Sequence, residues 1–395
     1  MMDKPTQAKL KKFAQYARTS LMEQVSTRLK QVLEPSSAAR RENPSAVAAL
    51  EQKIQTSSQQ QVVEQVAYTW FNRFCALRFM DINGYTPLGI VSPEAGQFQP
   101  AILAEAKMGH IDDKLVSNEK TRQHIMALLV GSATSQDPQG EAYRLLLVAT
   151  CNSYNKSMSY LFGRITDYTE LLLPSDLLSG NAILSFVQQA MTPEACKSVE
   201  VIGWLYQFYI SEKKDDVFEA LKKNKKIMPE NIPAATQLFT PHYIVRYLVE
   251  NSLGRLWMLN NPNSRLIDRM EYYIKPVDVE TNFLKVTSPE ALKLCDPACG
   301  SGHMLSYAYD LLYAIYDEAG YEPNEIPENI LTHNLFGIEL DERAGELASF
   351  ALSMKAAGGN PAETKTNHRR FFRNPIQPQG DRIGRTIIPI IGYLA

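Results

Sequence analysis

The run Ala291-Leu-Lys-Leu-Cys-Asp-Pro-Ala-Cys-Gly-Ser-Gly-His-Met-Leu305 decides the fold. It reads as a short apolar strand ending at Asp296, a turn containing Gly300 and Gly302, and a helix running through Ala319 to a stop at Gly320. A strand that feeds a helix through a glycine turn leaves room for a ligand at its carboxyl end. Gly300 and Gly302 let the backbone turn tightly and approach a bound molecule, and Asp296 sets a carboxylate beside it. Two glycines and an acid suit a cationic, amine-bearing ligand. A dinucleotide fingerprint would require a third glycine three residues after Gly302, where Leu305 stands, so pyrophosphate binding is disfavoured.

Downstream, Leu335-Phe-Gly-Ile-Glu-Leu-Asp341 reads as a second compact strand whose end carries Glu339 and Asp341, followed by a helix Glu342–Ala357 stopped by Gly358 and Gly359. Glu339 is the candidate partner for a ligand's hydroxyl groups. Both acids would equally serve as first-turn acids favourable to the helix dipole. Upstream, Phe239, Thr240 and Pro241 lie in the run Gln237–Arg246, where Thr as a helix N-cap with Pro at the first helical position also fits. His303 either lines the site or faces solvent at the start of its helix. From Pro233 onward, short apolar runs alternate with amphipathic helices, the order of a parallel sheet covered by helices.

The earlier chain has a different texture. Residues 1–60 hold ten basic side chains against five acidic ones, although the whole protein is nearly balanced at 41 basic and 43 acidic. Any contact with nucleic acid must therefore come from a local patch rather than the global field. Leu10, Phe13, Tyr16, Leu21, Val25 and Leu29 recur at helical spacing, which predicts an amphipathic helix with either a solvated or a DNA-contacting outer face. From Val62 to Phe79 the pattern is a buried aromatic helix stopped at Asn83-Gly84. Further helices are predicted over Thr121–Val130, Glu141–Tyr154, Ala182–Ala190 and Val199–Ile210. The charged passage Lys213–Lys226 is taken as the approach to a last domain. The expected organisation is a basic helical arm over 1–60, a mainly helical domain over 61–230 and an α/β domain over 231–395.

Five scattered cysteines and no His cluster argue against a disulfide framework or a metal site. With no apolar leader and no uncharged stretch long enough to span a bilayer, the expectation is a cytoplasmic protein without membrane contact. Glu105-Ala-Lys107 has the E-x-K form of a nuclease site, but Asp81 is its only obvious partner and nuclease chemistry is not favoured.

The seven residues Asp296-Pro297-Ala298-Cys299-Gly300-Ser301-Gly302 resemble the first motif, D-P-A-C-G-[ST]-G, of the gamma-ordered N6-adenine DNA methyltransferases. In that family an F-T-P motif, here Phe239-Thr240-Pro241, precedes the glycine turn and helps hold the methionine end of the cofactor. The segment Tyr68–Tyr85 is similar to the amino-terminal helical segment of the PglX family, the adenine methyltransferases of BREX phage-defence systems. The resemblance implies a mainly helical amino-terminal domain followed by a partial Rossmann-like methyltransferase domain. It also implies S-adenosylmethionine as cofactor, double-stranded DNA as substrate, and other defence subunits or a further carboxyl-terminal half as partners. The cofactor-binding residues it implies are Phe239, Thr240, Pro241, Asp296, Pro297, Ala298, Gly300, Gly302 and Glu339.

The family's catalytic motif [DNS]-P-P-[YF], whose polar side chain and aromatic ring hold a flipped base, requires a Pro-Pro pair, and none occurs here. No catalytic residue is therefore assigned. The expectation is a cofactor-binding portion, inactive alone, with an incomplete sheet whose open edge is a liability. Arg369–Pro378 is also similar in character to the family, whereas Gln379–Ala395 has no parallel. A silent DNA- or protein-binding subunit of a defence complex, and a methyltransferase of another substrate, are the alternatives.

Overall fold

The glycine turn predicted after Asp296 follows the edge strand of a small sheet, and helices of the same unit pack against that sheet. The computed structural model describes residues 3–163, 168–227, 231–236 and 240–358, with the backbone of 386–389. The chain forms two units, Met2–Ser198 and Val199–Ala395.

The first unit is helical. Its longest helix, α1 (Lys4–Leu33), is capped by Asp3, whose side chain accepts the Thr6 N–H. It buries Leu10, Phe13, Ala17, Leu21, Val25 and Leu29 and packs on α2 (Gln59–Ile82). The predicted arm is thus built into this unit rather than standing apart. Tyr16, counted with the apolar face from its spacing, is instead 42% exposed and lies tilted against the ring of Phe186, 4.5 Å between centroids. Helix α2 is buried on most sides, including Trp70, Phe71 and Phe74, and ends where the pattern required, at Asn83 and Gly84. The predicted helix at 141–154 appears as α3 (Pro138–Tyr154), with Asp137 capping the Gly140 N–H.

Asp81 and the Glu105-Ala-Lys107 triplet are structural. Asp81 accepts the N–H groups of Ile90 and Val91 and the hydroxyls of Thr86 and Ser92, anchoring the loop after α2. Lys107 donates to Gln99 and Gln139, and Glu105 faces His110. Among the described residues no group of three His, Cys, Asp or Glu side chains could hold a metal ion. No helix there is long and apolar enough to cross a membrane.

The second unit begins earlier than its composition suggested. Helices α4 (Glu200–Tyr209) and α5 (Ser211–Lys222) belong to it, so the charged passage before Pro233 is internal to a unit and not a boundary. Next come α6 (His242–Val249), a π-helical turn Glu250–Gly254 and α7 (Arg255–Asn260) in one continuous run. Strand β1 (Leu294–Asp296) leads through the glycine turn into α8 (His303–Glu318). Helix α9 (Ile326–His333) then returns the chain to β2 (Leu335–Glu339), and α10 (Glu342–Gly358) comes after it.

β1 and β2 are parallel, with Leu294 opposite Leu335 and Asp296 opposite Gly337. The register brings both strand ends, and hence both acids, to the same edge. A third strand, β3 (Thr386–Pro389), pairs antiparallel with β2, giving the order β1-β2-β3. The core under the sheet is built from Leu305, Leu312, Ile315 and Tyr316 of α8, Ile330 of α9, Leu335 of β2 and Leu352 of α10, with Leu253 and Trp257 behind them. Tyr316 donates to the buried Asn334, which in turn donates to the carbonyls of Pro289 and Leu292, so the approach to β1 is tied to the approach to β2.

Candidate functional site

The glycine turn is fixed by its own backbone. Cys299 N–H donates to the Ile338 carbonyl at 3.0 Å and Gly302 N–H to the Cys299 carbonyl at 2.8 Å. Gly302 has φ +81° and immediately precedes α8. A Cβ there would lie 2.9 Å from the Cβ of Ala348, so turn and α10 meet at a distance only glycine permits.

Glu339 reaches from the end of β2 to this turn. Its Oε2 accepts the Gly300 N–H at 2.6 Å, and its Oε1 accepts the N–H groups of Leu340 and Asp341, each at 2.9 Å. Three donors converge on one carboxylate, and Oε2 keeps capacity for a further hydroxyl. Asp296, at the end of β1, is half-buried. Its Oδ1 accepts the Ala298 N–H at 3.1 Å, and Oδ2 has no partner among the described residues. Burial pushes the Asp296 carboxyl above its ordinary range, with the Ala298 amide pulling the other way. A carboxylate partly withdrawn from water with one oxygen unused is stabilised by a cationic partner. Pro297 and Ala298 are exposed beside it.

The other acid of the strand end, Asp341, is consumed by the fold. It is 5% exposed, accepts from the Tyr206 hydroxyl of α4 and pairs with Arg343 at 3.2 Å. Burial and the Asp341 charge push the Tyr206 hydroxyl far up, so it stays a donor. Of the two acids weighed as helix-dipole partners, Asp341 takes the structural part and Glu339 faces the turn.

Helix α4 forms a wall that sequence reading missed. Gly203 lies so close to the turn that a Cβ would stand 2.5 Å from both Ser301 Oγ and His303 Nε2. The signal was a lone glycine inside the apolar run Val199–Ile210, where it costs helix stability unless another group must approach. His303 does not face solvent: burial, with the nearby His242, pushes its imidazole down to about 3. His242, in the first turn of α6, lies 3.5 Å from Glu200 of α4 and edge-on to Tyr307 of α8.

Of the F-T-P triplet, Phe239 lies outside the described residues. Thr240 is not the cap: Pro241 occupies that position, its carbonyl accepting from Ile244 and Val245 at 2.9 and 3.1 Å. The helix it opens is bound to α8 by Arg246, which lies over the rings of both Tyr272 and Tyr307 at 5.4 Å and pairs with Glu250 and Glu271. Glu250 is fully buried and satisfied, accepting from Tyr307 at 2.6 Å and from the Tyr272 N–H at 2.5 Å. The second unit therefore gathers Asp296, the glycine turn and Glu339, and packs α6 and α4 around them. The arrangement can hold a cation at Asp296 and a hydroxyl at Glu339.

Comparison with known proteins gives one domain match and two named relatives. Residues 282–380 match the family described as MmeI, DNA-methyltransferase domain. The chain is 43% identical over 303 residues to an adenine-specific methyltransferase BrxX of Escherichia coli O9:H4 (strain HS), covering 75% of this chain and 24% of that protein. It is 35% identical over 337 residues to an adenine-specific methyltransferase PglX of Lacticaseibacillus casei (strain Zhang), covering 80% of this chain and 27% of that protein. The chain is their homologue. It spans about a quarter of the length of these curated relatives. The shared identity extends well beyond the methyltransferase match, so the helical first unit is part of the homology and not an unrelated attachment.

Proposed function

We propose that this chain carries the S-adenosylmethionine-binding part of a BREX-type, site-specific DNA adenine N6-methyltransferase, with a partial Rossmann-like sheet as its platform. The observation that carries the reading is the bond between Gly300 and Glu339, which makes the glycine turn and the second acidic strand end a single cradle. When bound, the cofactor supplies the methyl group. Asp296 offers its unused oxygen to the cofactor's amine, and Glu339 offers Oε2 to the ribose hydroxyls while holding the turn open with its remaining lone pairs. Gly300 and Gly302 keep side chains out of the path, with Pro297 and Ala298 forming the rim, and the family resemblance assigns the F-T-P residues Phe239, Thr240 and Pro241 to the methionine end. Double-stranded DNA is the substrate of the whole enzyme, by analogy with the adenine-specific relatives.

Isothermal calorimetry with S-adenosylmethionine tests this reading, run on the chain and on Asp296→Ala and Glu339→Ala variants whose folding is checked by circular dichroism. Saturable binding that both substitutions weaken at least about tenfold, a loss of about 1.4 kcal/mol, supports it. A well-folded parent that binds no cofactor overturns it and leaves a DNA- or protein-binding subunit of a defence complex as the reading.

A further inference from the structure

Seven of the ten cations of the first sixty residues fall into two sets. Three of the four arginines serve the fold: Arg18 pairs with Glu64 at 3.8 Å, Arg28 donates to the Leu171 carbonyl at 3.0 Å, and Arg40 pairs with Glu51 at 2.6 Å. Lys4, Lys9, Lys11 and Lys12 are exposed and make no hydrogen bond or ion pair among the described residues. Asp3 is the acid beside them, and its Oδ1 is occupied by the Thr6 N–H.

At about 100° per residue Lys4, Lys11 and Lys12 lie on the side of α1 away from Leu10, Phe13, Ala14 and Ala17, and Lys9 lies at the flank of that side next to Phe13. They cover about 12 Å of helix. Their position opposes the helix dipole, which favours acids in the first turns and cations in the last. A comparable cluster, Lys222, Lys223, Lys225 and Lys226, lies at the carboxyl end of α5, where the dipole favours it and Asp215, Asp216 and Glu219 precede it on the same helix. That second cluster has a reason within the fold; in the first, Lys9 interacts with the charge of the capping Asp3, and the dipole favours none of the four.

We propose that the lysine face at the start of α1 is a sequence-independent contact surface for the phosphate backbone of duplex DNA. The proposal rests on the reading that DNA is the substrate, and its charge fits that polyanion. Duplex DNA carries one charge per about 1.7 Å of axis, so about seven fall within the reach of this face.

The test is fluorescence anisotropy of the full chain with labelled duplexes of two unrelated sequences, between about 50 and 200 mM salt. The parent is compared with a Lys4→Gln, Lys9→Gln, Lys11→Gln, Lys12→Gln variant and with the matching four-glutamine variant at Lys222, Lys223, Lys225 and Lys226. Circular dichroism checks the fold of each. Four lost phosphate contacts make the slope of log affinity against log salt shallower by about 3.6 for both duplexes. The expected result is that shallower slope in the α1 variant, with the α5 variant matching the parent. A folded α1 variant with the parental slope overturns the surface, as does a loss confined to the α5 variant. A parent that binds S-adenosylmethionine but no DNA overturns the surface and leaves the cofactor reading standing, whereas one that binds neither overturns both. Loss of sedimentation with phosphatidylserine vesicles, with DNA binding unchanged, also overturns it, in favour of a membrane surface.

Discussion

Gly300 and Glu339, thirty-nine positions apart in sequence, are joined by a 2.6 Å hydrogen bond from the glycine N–H to the carboxylate Oε2. The strand end that carries the second acid thereby sets the shape of the turn after the first. Glu339→Gln keeps the size of the side chain. If the new amide nitrogen takes the place of Oε2, it confronts the Gly300 N–H donor to donor. We expect a loss of about 1–3 kcal/mol in urea denaturation, together with at least tenfold weaker S-adenosylmethionine binding by calorimetry. Unchanged stability would mean that the turn holds its shape without this carboxylate.

Gly302 and Gly320 have nearly the same left-handed backbone, with φ of +81° and +85°, but different surroundings. Nothing lies within 4 Å of a Cβ at Gly320, whereas one at Gly302 meets Ala348. Gly320→Ala should cost about 1–2 kcal/mol, from backbone strain alone. Gly302→Ala adds an overpacking cost of about 1–3 kcal/mol, so its melting temperature should fall further. Equal melting temperatures would refute the close approach of turn and α10.

The contact of α4 with the turn gives a separate prediction. Gly203→Ala drives a methyl group against Ser301 and His303, and either α4 lifts or the turn shifts. We expect S-adenosylmethionine affinity to fall at least tenfold while the far-ultraviolet circular dichroism stays that of the parent. Parental affinity would remove α4 from the site.

His303 makes the second unit sensitive to acid. Its folded-state value, about 3, lies below the ordinary 6.5, so the unfolded chain takes up the proton first. Stability from this group is complete above about pH 6.5 and falls as pH drops toward about 3, by at most about 1.4 kcal/mol per pH unit. His303→Gln should flatten the decline in melting temperature between pH 6.5 and 5. His242 and Glu200 also lie near this position, so a His242→Gln variant is melted beside it, and a decline that persists only in the His303 variant would assign the acid limb to His242.

Much of the second unit was legible because its signals are local. A strand, a glycine turn and a helix in fifteen residues leave few alternatives, and the spacing from Asp296 to Glu339 comes from one helical crossover. The unit boundary was not legible in the same way. Lys213–Lys226 looks like a linker because charge marks exposure, but exposure of one helix face does not separate units, and α4 before it packs on α10. The role of Asp341 was equally hidden, since its partner Tyr206 lies 135 residues away and nothing local to either predicts the bond. Tyr16 shows the limit of periodicity itself: a spacing of three from Phe13 placed it at the margin of the buried stripe, where a phenol can turn outward.

The π-helical turn at Glu250–Gly254 sets the phase between the two helices it joins. Helices α6 and α7 run along one axis, but the wider turn makes their faces slip past each other compared with an uninterrupted α-helix. That slip lets Arg246 meet Glu271, Tyr272 and Tyr307 while Trp257, on the same run, still points into the core. Removing one residue from the turn would rotate α6 by about 100° relative to α7. The helix would become more regular, and the arm that begins at Thr240 would be aimed away from the ligand edge of the sheet.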